Sequence, residues 1–115
     1  MALAITVGDV EGVTVLWLSG RIVLGEETSA LRGMVKDLID GGKKRLVLNM
    51  DNVTFVDSSG LSALVSTYST ARLHGALLRL CHLGSQVVEL LQVTCLVTIF
   101  EISNTQAEAI RSFPK

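Results

Sequence analysis

The sequence is poor in charge, aromatic side chains and proline. Only 18% of its 115 residues are charged and 4% are aromatic, and Pro114 is its single proline. Soluble domains typically carry about 25% charged residues, so the surface of this chain is sparsely charged. The shortage of proline excludes a proline-rich linker, and a net charge of −1 excludes a strongly basic nucleic-acid-binding surface. We therefore expect one domain, residues 1–115, that makes no direct contact with nucleic acid.

Hydrophobic residues are abundant, at 49% of the chain, and this abundance excludes intrinsic disorder. The longest stretch without a charged residue, 58–71, is rich in serine and threonine. A spanning helix needs about 18 consecutive apolar residues, so we expect no membrane insertion. The first eight residues lack the basic region of a signal peptide, which predicts a cytoplasmic protein. Cys81 and Cys95 are expected to be free thiols in the core, and the sparse surface charge favours a protein partner or a homodimer.

Hydrophobic patterning predicts an alternation of strands and helices. The predicted strands are 3–7, 13–18, 46–50, 76–82 and 96–102, with a short extended piece at 53–56, and the predicted helices are 24–40, 57–74, 84–91 and 104–113. Asp51 and Asn52 are expected to form a turn. Because strands that alternate with helices pair in parallel, we predict an α/β fold. It would have a single mixed, mostly parallel sheet with an N-terminal antiparallel hairpin and about four helices.

The most informative segment is Asp57-Ser58-Ser59-Gly60-Leu61, which lies between a predicted strand and a predicted helix. Aspartate and serine are preferred helix N-caps, so a purely structural role is one interpretation. A phosphoacceptor serine is the other, because the dipole and the unpaired N–H groups of a helix N-terminus stabilise a phosphate. Capping does not explain two adjacent hydroxyls at the carboxyl end of the sheet, where ligands and partners bind open α/β sheets.

Together with 46–50 and 53–56, this pentapeptide resembles the phosphorylation motif of the anti-sigma factor antagonists, a family of STAS domains. Leu18-Ser19-Gly20-Arg21-Ile22 is similar to the second strand of that family and the turn that follows it. The resemblance implies a STAS-like fold and a regulatory protein that is not an enzyme. It also implies that Ser58 is phosphorylated by an anti-sigma factor with serine kinase activity. That partner binds the unphosphorylated antagonist and releases its sigma factor, so transcription is regulated indirectly.

The same resemblance gives the residues around Ser58 their expected roles. Asp57 would orient the turn, Ser59 would donate a hydrogen bond to the phosphate or the partner, and Gly60 would allow a close backbone approach. The expected partner-binding residues are Val23, Leu24, Asp57, Ser58, Ser59, Gly60 and Leu61. Val23 stands where family members often have an acidic residue. Val23 and Leu24 would form an apolar patch if they are exposed beside Ser58; the alternative is that Leu24 packs in the core.

Two other functions stay open. A STAS subunit of a transporter or of a stress-signalling assembly would share this fold without phosphorylation of Ser58. A small serine hydrolase would pair Ser58 with His82, whose strand ends at the same edge of the sheet, although the sequence has no G-x-S-x-G motif. We expect no metal and no cofactor. There is no C-x-x-C pair, and Cys81 and His82 are neighbours that point to opposite faces of a strand.

Overall fold

The computed structural model describes residues 3–113, which form one five-stranded sheet and four helices. The strands are β1 (Ala4–Val10), β2 (Val13–Ile22), β3 (Arg45–Val56), β4 (Leu77–Cys81) and β5 (Glu101–Ser103), and the helices are α1 (Glu26–Asp40), α2 (Ser58–Leu73), α3 (Ser85–Val93) and α4 (Gln106–Arg111). The strand order is β1-β2-β3-β4-β5; β1 is antiparallel to β2, and the other neighbours are parallel. This confirms the predicted mixed sheet, its hairpin and its helices. Residues 1–2 and 114–115 of the predicted domain lie outside the described residues.

Alternate residues of the central strands point to opposite sides of the sheet. Leu46 and Leu48 belong to the larger core, which α1, α2 and α3 cover, whereas Val47 belongs to a smaller core under α4. The apolar run 46–50 is therefore buried on both sides, as expected for a parallel strand between helices. None of the helices within residues 3–113 has the length and apolar character needed to cross a lipid bilayer.

The central strand β3 is longer than predicted. The expected turn at Asp51 and Asn52 is wrong, because β3 runs through both residues to Val56 and pairs with β2 along this length. Two irregularities in the β2–β3 register accommodate extra residues of β3. The Asn49 side chain accepts a hydrogen bond from the Asp51 N–H at 3.0 Å, which stabilises the first of these irregularities. β2 likewise continues beyond its predicted end, to Ile22.

The last predicted strand, 96–102, is mostly wrong. Only Glu101–Ser103 forms β5, and the residues before it form turns in which Phe100 is buried and Leu96 packs against the core. Apolar side chains anchor this loop, and hydrophobic periodicity does not distinguish such anchors from a short strand. Cys95 was expected in the core, but it is exposed and has a φ of 61° just after α3.

Candidate functional site

The turn between β3 and α2 contains the residues of the predicted motif. β3 ends at Val56, and α2 begins at Ser58 because Asp57 is its N-cap. The Asp57 backbone is extended, and its Oδ1 accepts a hydrogen bond from the Gly60 N–H at 2.7 Å. The structure thus shows the capping role of Asp57. Capping occupies the carboxylate and leaves the neighbouring hydroxyls for other contacts.

The Asp57 carboxylate also joins two segments that are distant in sequence. Its Oδ2 accepts a hydrogen bond from the Leu24 N–H at 3.1 Å, and the Asp57 N–H donates to the Ile22 carbonyl oxygen at 3.2 Å. The segment between β2 and α1 is therefore held against the first turn of α2, beside Ser58. Val23 is half-buried there, and Leu24 is 76% exposed. Leu24 thus does not pack in the core.

These hydrogen bonds favour the ionised form of Asp57. The bond from the Gly60 N–H is the main cause that lowers the pKa of this carboxyl group below its ordinary value of 3.8. Partial burial opposes this effect, while the N–H groups of Leu24 and Ser59 and the positive charge of Arg21 lower the pKa further. A carboxylate is therefore fixed at the N-terminus of α2 at neutral pH.

Ser58 carries the exposed hydroxyl of this turn. Its side chain is open to solvent, whereas Ser59 is half-buried and Gly60 is buried. No hydrogen bond formed within residues 3–113 uses the Ser58 hydroxyl. The unpaired N–H groups and the dipole of the 16-residue α2 favour added negative charge at this position. The site thus offers an accessible hydroxyl at the N-terminus of a long helix.

Gly60 lets the first turn of α2 pack directly against β2. A Cβ atom at this position would overlap the carbonyl group of Ile22. The missing side chain of Gly60 therefore allows a close backbone approach within the chain itself. Leu61 is only 6% exposed and belongs to the larger core. Gly60 and Leu61 are buried beneath the turn, whereas Ser58 is exposed on its surface.

Gln86, which the sequence did not single out, fixes the end of β3. Its Oε1 accepts a hydrogen bond from the Val56 N–H at 3.1 Å, and its Nε2 donates to the Val56 carbonyl oxygen at 2.9 Å. The pairing of β3 with β4 ends at Asn49, so the Gln86 amide supplies hydrogen bonds that a neighbouring strand would otherwise provide. A glutamine in the first turn of α3 carries no sequence signal for this role, because only the fold brings it beside β3.

Arg21 and Phe55 form a second contact that the sequence did not indicate. The two residues are paired in the β2–β3 register, and the guanidinium carbon of Arg21 lies 5.5 Å from the centroid of the Phe55 ring. This is the geometry of a cation–π interaction. Both side chains are exposed, whereas the next pair along the strands, Ile22 and Val56, is buried. The contact therefore lies on the outer face of the strand ends that lead to the Ser58 turn.

His82 is engaged in a different part of the fold. Its Nε2 accepts a hydrogen bond from the Gln106 N–H at 3.2 Å, so the lone pair that a general base would need is already in use. His82 lines a cavity of about 280 Å³ together with Asp51 and Asn104, and Ser58 does not line it. The described residues therefore do not pair Ser58 and His82 as a nucleophile and its base.

Among residues 3–113, no three His, Cys, Asp or Glu side chains come together as candidate metal ligands. Cys81 is buried, as predicted, and burial raises the pKa of its thiol to about 11, with a smaller contribution from the charge of Asp51. Since the thiolate is the form that binds metals, Cys81 acts as a packing residue at neutral pH.

Comparison with known proteins covers almost the whole chain. The sequence profile of the STAS domain matches residues 4–109. The chain belongs to the STAS domain family. A relative in Bordetella bronchiseptica, BtrV, which is described as an anti-sigma factor antagonist, is 24% identical over 109 residues, or 95% of this chain and 93% of BtrV.

Solved structures share the fold of this STAS domain. TM1081 from Thermotoga maritima, which is described as an anti-sigma factor antagonist, superposes with a TM-score of 0.85 at 22% identity, over 93% of this chain and 92% of that one. The phosphorylated form of the Bacillus cell fate determinant SpoIIAA superposes with a TM-score of 0.72 at 18% identity, over 94% of this chain and 97% of that one. At these identities the likeness establishes the fold alone.

Proposed function

We propose that this STAS domain is a cytoplasmic anti-sigma factor antagonist, without catalytic activity of its own, that is switched by phosphorylation of Ser58. The unphosphorylated form binds an anti-sigma factor that is also a serine kinase, which frees the sigma factor without any contact with DNA. The observation that carries the proposal is the exposed Ser58 hydroxyl at the N-terminus of α2, next to the fixed Asp57 carboxylate. The descriptions of BtrV and TM1081 as anti-sigma factor antagonists support the class of partner.

The position of Ser58 suits a switch that changes binding without unfolding the domain. A phosphate adds about −1.5 to −2 charges at pH 7, and the N-terminus of α2 favours negative charge, although the Asp57 carboxylate opposes it. The stability of the domain should therefore change little. A partner that covers the turn, in contrast, must desolvate the phosphate, which opposes binding. SpoIIAA, a relative by fold, has a phosphorylated form.

The other predicted residues divide into surface contacts and supports. Val23, Leu24 and Ser59 would contact the partner around Ser58, because each is at least partly exposed. Asp57 would orient the turn through its hydrogen bonds to Leu24 and Gly60, while Gly60 and Leu61 hold α2 in place. Substitution of a support should change both stability and binding, whereas substitution of a surface contact should change binding alone.

Phosphopeptide mass spectrometry after incubation with ATP and the cognate anti-sigma kinase tests the proposal. Phosphate is expected on Ser58 of the wild-type chain and is expected to be absent from Ser58→Ala. Ser62→Ala is the matched control, because Ser62 is another exposed serine one turn further along α2 and its loss should leave phosphorylation unchanged. Phosphate at another residue, retained in Ser58→Ala, would contradict the proposed switch.

The alternative functions predict different results. A STAS subunit of a transporter or of a stress-signalling assembly would bind its partner equally well with and without phosphate on Ser58. A serine hydrolase would react at Ser58 with a fluorophosphonate probe. We expect no labelling, because Nε2 of His82 is already engaged with the Gln106 N–H.

A further inference from the structure

Arg21 is the one charged residue between Gly20 and Gly25, in the strand end and loop that lie against the Ser58 turn. The three ion pairs formed within residues 3–113 involve other side chains. The Arg21 guanidinium is instead exposed, and its carbon lies 5.5 Å from the Phe55 ring centroid. The charge of Arg21 is near enough to the Asp57 carboxylate to lower its pKa, but the guanidinium forms no ion pair within the described fold. Its N–H donors are therefore available to a partner molecule.

The Phe55 ring contacts the Arg21 guanidinium, and no hydrogen bond formed within residues 3–113 uses the guanidinium N–H groups. A guanidinium carries five N–H donors in a planar fork, which matches the two oxygens of a carboxylate. The ring already restricts the arginine side chain, so less conformational entropy is lost when a carboxylate binds. Such paired, charge-assisted hydrogen bonds are stronger than those between neutral groups.

Apolar surface lies close to this cation. Leu24 is 76% exposed and Phe55 is 38% exposed, and we name these two residues with Arg21 the Arg21 face. The Asp57 carboxylate connects its parts: it accepts a hydrogen bond from the Leu24 N–H, and the charge of Arg21 is near enough to lower the pKa of Asp57. The Arg21 face is thus continuous with the turn that presents Ser58.

We infer that the Arg21 face is the specificity-determining part of the partner interface. It binds a protein segment that presents a carboxylate to Arg21 beside an apolar side chain that covers Leu24. The inference rests on the proposed function, since it names the chemistry of the same partner surface.

Calorimetric titration of the anti-sigma kinase into variants of this chain tests the inference. Arg21→Glu should raise the Kd about ten- to a hundredfold, since it removes a charge-assisted hydrogen-bonded pair and places two carboxylates opposite each other. The Kd of Arg21→Lys should lie between those of the wild type and Arg21→Glu, because lysine keeps the charge but lacks the planar set of N–H donors. Arg45→Glu makes the same charge change at the opposite end of β3 and should leave the Kd unchanged. The Kd of the wild type should also rise more steeply with salt than that of Arg21→Glu.

Equal affinities of Arg21→Glu and Arg45→Glu for a kinase that still phosphorylates Ser58 would overturn the Arg21 inference and leave the proposed function standing. A wild-type chain that neither binds the kinase nor is phosphorylated by it would overturn both. Thermal melting establishes that each variant is folded. Should Arg21→Glu fail to fold, Arg21→Gln removes the charge while keeping an aliphatic stem over Phe55, and the same comparison applies.

Discussion

Replacing Gly60 with alanine tests how the phosphoacceptor turn is built. In a helix, glycine to alanine normally stabilises a protein by about 0.5–1 kcal/mol. At Gly60 the added methyl group would overlap the Ile22 carbonyl group, which also accepts a hydrogen bond from the Asp57 N–H at 3.2 Å. The obstacle is backbone rather than a flexible side chain, so α2 or β2 must shift.

The expected cost follows from these contacts. Overpacking against fixed structure costs about 1–3 kcal/mol, and the Asp57–Ile22 hydrogen bond is worth about 1 kcal/mol. After the favourable helix propensity of alanine is included, Gly60→Ala should lose about 2 kcal/mol of unfolding free energy. For a domain of this size that corresponds to a fall in Tm of roughly 6–8 °C.

Gly33→Ala provides the matched control. Gly33 lies within α1, and a Cβ atom there would meet nothing within 4 Å beyond its chain neighbours and the adjacent backbone of its own helix. This variant should gain about 0.5–1 kcal/mol. Urea and thermal unfolding, followed by circular dichroism, measure both variants. If Gly60→Ala proved as stable as Gly33→Ala, the close packing of α2 on Ile22 would be refuted.

Three further outcomes are expected. The hydrogen bonds that lower the pKa of Asp57 contribute stability above pH 3.8, the ordinary pKa of an aspartate. This contribution is lost as the pH falls through the lower pKa of the folded state. The difference in unfolding free energy between the wild type and Asp57→Ala should therefore shrink in acid, as urea unfolding at several pH values would show. Gln86→Leu removes both hydrogen bonds to Val56 and should cost about 2–3 kcal/mol; a cost near zero would mean that water replaces the amide. At pH 8 a thiol reagent should modify the exposed Cys95 much faster than the buried Cys81, whose pKa is about 11, and equal rates would contradict the burial of Cys81.

The fold was predictable from the sequence where the hydrophobic pattern and the glycines that end helices indicate the same boundaries. The helix 24–40 ends at Gly41-Gly42, and α1 ends at Asp40. The failures occur where composition indicates one structure and tertiary contacts impose another. Asp51 and Asn52 are turn-forming residues, yet pairing with β2 and support from Asn49 keep them in a strand.

The motif of the candidate site was predictable from the sequence, but its contacts with distant segments were not. The Asp57-Ser58-Ser59-Gly60 motif identified the turn, because capping and acceptor chemistry both follow from residue type and local position. The contacts from Leu24, Gln86 and Arg21 depend on segments that meet only after folding. Their residues have no local pattern that would single them out, so the tertiary structure was needed to find them.

The affinity of the anti-sigma kinase for this STAS domain, measured before and after phosphorylation of Ser58, tests the central claim most directly. Like charges or an unpaired phosphate in an interface cost several kcal/mol, so we expect the phosphorylated form to bind about a hundredfold or more weakly. Its Tm should stay within a few degrees of that of the unmodified domain. Equal affinities of the two forms would contradict the claim that Ser58 is the switch.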